Sequence, residues 1–365
     1  MKRTNLTIYS AAHFWVDFSC ALLMFRCISS ASDFALCLLL YNFFAFAMQM
    51  PLGILADRFN HNALTAALGC ILTAAAYPLY GLCGVPALTA CMAGLGNALF
   101  HLGGGIDTLN HSQKKGAALG IFVSPGAFGL FLGTKLGKST LPLLWFGPVG
   151  LFVFAILLLW FCTTGKREFT AVSSPFRRVL LRLKRSGANT AFHLKPTSSP
   201  LWLIPLFLVV VLRSYMGMNQ SFSWKQGVWS WVLLLALVFG KAAGGCLMDR
   251  IRPVPAAIGS LGLAALLYFG AGIPVCGTLA VFLFNMTMPI TLWAAARLLP
   301  GAKGFAFGLL TFGLFLGYIP SAAGLPSLLH DSLSYVLLSL VSMALLVPPL
   351  YALQSDGRRR QQTGF

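Results

Sequence analysis

Asp17 and Arg213 are the residues of this chain hardest to reconcile with their surroundings, because each falls near the middle of an apolar run of about 20 residues. An ionisable group at mid-membrane depth costs at least ~2.5 kcal/mol, so each needs a partner or a task. His13 precedes Asp17 by four residues and so shares its helical face, where an imidazole beside a buried carboxylate can take up or return a proton. An acid in the first part of the chain and a base in the second could pair directly, or hold a small charged solute between them. His101, Asn97 and Asn285 add polar groups in other apolar runs, and Trp15, Tyr215 and Trp293 offer aromatic walls. Cys20 lies on the Asp17 side of its helix, so His13, Asp17 and Cys20 could together ligate a divalent metal, although a nearby Arg213 would repel one. No resident metal, cofactor or catalytic residue is assigned from these patterns.

The elements that must position these groups follow from composition. The chain is 58% hydrophobic and 13% aromatic, with a mean hydropathy of +0.80, too apolar for an ordinary soluble domain. Twelve apolar runs are each long enough to span hydrocarbon as helices, at 5–27, 33–56, 62–83, 86–108, 116–137, 142–164, 200–220, 225–248, 254–271, 274–298, 304–327 and 332–354. The runs are continuous rather than alternating, which favours helices over a barrel. The expected fold is therefore an all-α polytopic membrane protein. The opening MKRTNLTIYS reads as the approach to the first span rather than a cleavable signal, since His13 and Asp17 interrupt the apolar run behind it.

Charge follows the connections between runs. The formal net charge is +18, and 20 of the 26 Lys and Arg fall at the N-terminus or in every second connection. The positive-inside rule then puts both termini in the cytoplasm, making this a multi-pass protein of the cytoplasmic (inner) membrane. Basic residues dispersed around a membrane domain exclude nucleic acid as a partner. The nine Cys are mostly within spans, without a Cys-x-x-Cys pair, and read as small apolar packing residues.

The longest polar stretch, 165–199, divides the chain into a bundle at 1–164 and another at 200–365. Within it, Ser174 can cap a helix beginning at Pro175, with Phe176, Val179, Leu180 and Leu183 on one face and Arg177, Arg178, Arg182, Lys184 and Arg185 around the rest. Residues 175–187 then suit an interfacial helix on anionic lipid.

The two bundles repeat each other. FGLFLG occurs at 128–133 and 312–317, Asn97 and Gly116 match Asn285 and Gly304 at an offset of 188, and Gly-x-x-x-Asp-Arg occurs as Gly53, Asp57, Arg58 and as Gly245, Asp249, Arg250. Offsets of 184, 188 and 192 differ by about one helical turn, which points to duplication. Each Asp falls at the cytoplasmic end of a span with its Gly one turn earlier on the same face. Another helix can approach that face, and the carboxylate can accept hydrogen bonds from the exposed N–H groups where that helix begins. Such a contact forms when the cytoplasmic side closes and breaks when it opens, so these six residues are the expected cytoplasmic gate.

The paired Gly-x-x-x-Asp-Arg between spans 2 and 3 and between spans 8 and 9, with twelve spans and a long central loop, resembles the major facilitator superfamily. That resemblance implies two pseudo-symmetric six-helix bundles, alternating access and transport of a small solute. One departure is that Phe59, Asn60, His61 and Asn62 stand where the family usually continues x-Gly-Arg-Lys/Arg. AHFWVDFSCALLMF, GNALFHLGGG and SPGAFGLFLG are similar to segments of the fosmidomycin-resistance branch of drug exporters, though Leu102-Gly103 replaces that branch's Pro-Glu after Phe-His. Ser124-Pro125-Gly126 resembles the fifth-span motif of antiporters.

The function expected is secondary active transport of a small anionic or zwitterionic solute by a monomer, as proton-coupled export using Asp17 and His13. Without a Walker A sequence, ATP is not the energy source. Enzymatic activity is not expected, because catalysis does not require two matching halves. Uptake of an organic anion and divalent-metal export remain the alternatives.

Overall fold

The structure is a computed structural model that describes residues 3–112, 115–162 and 200–362. Among the described residues, nine helices are long and apolar enough to cross a membrane: α1 (Thr4–Ile28), α2 (Phe34–Phe59), α3 (Asn62–Cys83), α5 (Ala117–Gly137), α7 (Pro200–Asn219), α8 (Val228–Ile251), α10 (Pro274–Leu298), α11 (Lys303–Ala322) and α12 (Ser332–Ser355). Two shorter apolar helices, α6 (Phe146–Cys162) and α9 (Pro253–Tyr268), and the more polar α4 (Pro86–His111) bring the set to the expected twelve. No strand occurs among the described residues. The basic linker and its expected interfacial helix at 175–187 lie outside the described residues.

Local sequence sets the helix ends. Pro86, Pro253 and Pro274 start their helices, where a missing N–H costs nothing. Asn60 ends α2 with φ 50°, taking the left-handed turn at the position where the family pattern has Gly; Asn is the next most tolerant residue there. α8 begins at Val228 rather than 225 because Gly227, at φ 52°, turns the chain first. α11 stops at Ala322, short of 327, ahead of Gly324 at φ 67° and Pro326.

Packing repeats between the first six helices and the last six. α1 lies against α5 and α7 against α11, and these are equivalent pairs. The echoed FGLFLG has a physical reason at these crossings. A Cβ on Gly129 or Gly133 would strike the α1 backbone at Phe14 or Phe18, and one on Gly317 would strike α7 at Val211 and Ser214. Small residues let helix backbones approach where lipid supplies no hydrophobic drive between them. The two sets of six meet along α2 with α11 and along α8 with α5, again a symmetric pair of contacts.

Candidate functional site

Both copies of the repeated motif sit at one end of these inter-bundle contacts. Asp57, at the end of α2, accepts hydrogen bonds from the backbone N–H of Gly304 (2.7 Å) and Phe305 (2.9 Å) at the start of α11. Asp249, at the end of α8, accepts from Gly116 (2.7 Å) and Ala117 (2.9 Å) at the start of α5. Each carboxylate thus caps the positive end of a helix from the other bundle. The approach depends on Gly53 and Gly245, where a Cβ would collide with the carbonyls of Gly304 and Gly116. Lys303 adds a bond across the same end, from Nζ to Asn110 Oδ1 at 2.8 Å. Arg58 and Arg250, although each adjoins an Asp in the chain, form no ion pair with it. Both are exposed, and neither joins an ion pair among the described residues, because adjacent positions on a helix do not face each other.

Mid-way along α1, the polar residues converge. Asp17 lies 3.3 Å from His13 Nε2 and 3.7 Å from His101 Nε2, and its Oδ1 accepts from Asn97 Nδ2 at 2.9 Å. His13 Nδ1 donates to the Phe122 carbonyl of α5 at 2.7 Å, and His101 Nδ1 to the Asn97 carbonyl at 2.9 Å. The two Nε2 atoms are 2.8 Å apart. Gly126 of α5 backs the cluster, and a Cβ there would run into His13 Nε2 and Asp17 Oδ2. The carboxylate and two imidazoles form the group whose ligand atoms lie within 4.8 Å of one another. Cys20 stands outside it, its Sγ directed to the Ala93 carbonyl and met by Asn97.

Arg213 and Asn285 are elsewhere, lining a cavity of about 220 Å³ with Gln220, Lys225, Phe131 and Phe284. The direct Asp17–Arg213 ion pair that the sequence suggests is not formed. His13, Asn97 and His101 take the carboxylate within its own bundle, and Nη1 of Arg213 is buried without a hydrogen-bond partner. Lys241 of α8 is within electrostatic reach of both Asp17 and Arg213. Sequence reasoning passed over it, though its depth in a span was a sufficient signal.

The three aromatic candidates belong to neither cluster. Trp15 faces α6, donating to the Gly147 carbonyl at 3.1 Å. Tyr215 accepts from the Leu328 N–H at 2.7 Å, in the connection between α11 and α12. Trp293 is buried beneath Arg297, whose guanidinium stands 5.1 Å from the ring centre. Trp15 and Tyr215 each lie two residues from a site residue, which turns them ~200° around the helix and away from it. Asp107, near the end of α4, pairs with His111 at 3.3 Å.

No protein-family model and no curated protein matches the sequence. Solved structures do match. An Asn-to-Ala variant of the E. coli fucose:proton symporter is 14% identical with a TM-score of 0.62, over 93% of this chain and 96% of that one. A major facilitator superfamily transporter in the outward conformation is 13% identical with a TM-score of 0.62, over 94% and 99%. A bacterial homologue of the iron transporter ferroportin in an outward-facing state is 17% identical with a TM-score of 0.58, over 97% and 99%. With twelve long helices among the described residues and reciprocal inter-bundle contacts, the chain has the major facilitator fold.

Proposed function

We propose that this protein is a secondary transporter that exports a small anionic or zwitterionic organic solute across the cytoplasmic membrane in exchange for protons, by rocking of its two bundles. The observation that carries this reading is the duplicated carboxylate-to-helix contact. A structural tie needs one copy in any arrangement, whereas two symmetric ties at one end, each dependent on a bare Gly, suit a closure that must open as a unit. The basic loops make that end cytoplasmic, with both termini there and the gate formed by Gly53, Asp57, Arg58, Gly245, Asp249 and Arg250. The described conformation is then closed to the cytoplasm, in keeping with the outward states named for two of the structural neighbours.

The solute's charge follows from the cavity beside α7. Arg213 brings a buried, unpartnered N–H, Asn285 a polar edge and Lys225 a second cation. An anionic group there satisfies Arg213 and neutralises part of the cationic field that includes Lys241. Proton coupling belongs to Asp17 with His13, on the opposite bundle. Export, in preference to uptake, rests on the resemblance to the fosmidomycin-resistance branch, and the symport named for one neighbour makes anion uptake the second reading. Divalent-metal transport is favoured by the His13, Asp17, His101 group, with His101 in place of Cys20. It is opposed by Lys241, a cation within electrostatic reach of the carboxylate.

The deciding experiment is flux into proteoliposomes of a panel of organic anions and divalent cations, with and without an imposed pH gradient, after a thermal-shift screen for ligands of the purified protein. Gradient-driven movement of an anion against its own gradient, opposite in direction to the protons, supports export by exchange. Co-directional movement supports uptake, and movement of a cation alone rejects the anion reading. Protease sites placed within 165–199 should be cut only from the cytoplasmic side; cutting from outside would overturn the orientation.

A further inference from the structure

The hydrogen bonds around His13 and His101 fix more than their positions. Each ring places Nδ1 against a backbone carbonyl, the Phe122 oxygen for His13 and the Asn97 oxygen for His101. A carbonyl only accepts, so each Nδ1 must carry hydrogen, and rotating either ring by half a turn would set a C–H against the oxygen instead. In a neutral imidazole with hydrogen on Nδ1, Nε2 is a bare lone pair. Yet the two Nε2 atoms face each other at 2.8 Å, the separation of a hydrogen bond. Two lone pairs cannot rest there. Something positive must stand between them.

We infer that His13 and His101 bind one proton jointly, as an Nε2–H···Nε2 bridge between α1 and α4 with Asp17 as its counter-charge, and that this bridge is the loaded form of the coupling site. The inference rests on the proton-coupled reading above and adds His101 to it as a carrier.

The charges around the bridge support a proton over a metal ion. α1 supplies Asp17, 3.3 and 3.7 Å from the two nitrogens, and Cys20 beyond it; α4 supplies only neutral Asn97, which holds Asp17 Oδ1. α5 contributes a carbonyl and bare Gly126, α2 the phenol of Tyr41 within electrostatic reach of Asp17, and α8 the cation Lys241, itself within electrostatic reach of Arg213 of α7. One bridging proton balances Asp17 one for one. A divalent ion would add a further charge facing Lys241. Distance argues the same way, since two nitrogens ~2.0 Å from a tetrahedral zinc lie ~3.3 Å apart, wider than the 2.8 Å found.

The bridge also ties protonation to shape. When the proton leaves, opposed lone pairs push His101 from His13, and α4 loses a bond to α1. Loading adds one proton and no other atom; unloading returns that proton to water and leaves two neutral rings with hydrogen on Nδ1.

The test uses the full-length chain in nanodiscs, with His61, His111, His193 and His330 changed to Gln so that only these two rings remain, and ¹⁵N-labelled histidine. Across a pH titration, both Nδ1 signals should stay protonated while both Nε2 signals change together in one shared step. His13→Gln should convert His101 to a single imidazole with its own separate step, and His101→Gln should do the same for His13. The inference is overturned if either neutral ring carries its hydrogen on Nε2, or if the rings titrate in two independent steps. It is equally overturned if elemental analysis of the purified protein, or titration with Zn²⁺, puts one metal ion per chain on both nitrogens. Flux measurements stand apart from these signals. A shared step in a protein that moves no solute would sink the transport reading and leave the bridge intact, whereas pH-driven flux with independent rings would do the reverse.

Discussion

Replacing Asp57 with Asn tests the gate most directly, because the geometry states what is lost. The carboxylate accepts two backbone N–H bonds, at 2.7 and 2.9 Å, from the first residues of α11. Asn keeps one acceptor oxygen but turns an NH₂ toward the second N–H, and it removes the charge that the helix start favours. A hydrogen bond to a charged group contributes about 1.5–3 kcal/mol. Losing one of the two therefore shifts the balance between closed and open by about tenfold to about a hundredfold, since every 1.4 kcal/mol is a factor of ten. Asp57 is half-buried and Asp249 exposed, so Asp57→Asn should have the larger effect of the two.

The reporter is Ile106→Cys in a background without the native cysteines. Ile106 is 3% exposed and packs where a Cβ on Gly304 would fall, so closure hides it. In inside-out vesicles, an impermeant maleimide should label this cysteine about ten times faster or more in Asp57→Asn, and the double variant with Asp249→Asn should exceed either alone. Equal labelling rates in all four proteins would refute the argument, leaving the motif a packing element of a bundle that does not open at this end.

Asp17→Asn should abolish flux driven by a pH gradient while solute binding or exchange survives, whereas Arg213→Ala should weaken binding itself; proteoliposome flux with and without the gradient separates the two. Lys241→Gln writes into α8 the residue that Gln49 already is at the equivalent position of α2, 192 residues earlier, and should raise the KM for an anionic solute several-fold without changing labelling at position 106. Gly126→Ala should disturb proton coupling, because its methyl would displace His13 and Asp17 at a cost of about 1–3 kcal/mol, while Gly81→Ala, which has open space around it, should be silent in the same flux assay.

The fold was legible because its main constraint is one-dimensional. Length and continuity of apolar runs locate a span whatever it packs against, and all twelve lie where hydropathy puts them. Offsets went further, since matching Gly116 with Gly304 singled out two residues that each present a backbone N–H to a carboxylate of the other bundle. The partner of Asp17 was not legible. Whether it meets Arg213 or its own neighbours depends on the rotation of α1 about its axis, and the tight approach of α5 at Gly126, Gly129 and Gly133 fixes that rotation only in three dimensions. Trp15 and Tyr215 face away from the two polar clusters for a reason that spacing already gives, because a residue two positions from a site residue points away from it on any helix.

What the duplication kept and what it let diverge separate along the length of the bundles. At the gate end the copies remain equivalent down to hydrogen bonds of 2.7 and 2.9 Å on each side. Mid-way along the helices they are opposites. The first bundle gathers a carboxylate and two imidazoles, while the second offers a guanidinium with an unpartnered N–H and a lysine where its twin has glutamine. Rocking requires the same closure from both bundles, so selection for it preserves symmetry. The proposed exchange of an anion for a proton would require two unlike sites that feel each other's charge, and so would account for the loss of symmetry at that depth. On that proposal Lys241, in electrostatic reach of both Asp17 and Arg213, is the residue through which occupancy of one site would alter the field at the other.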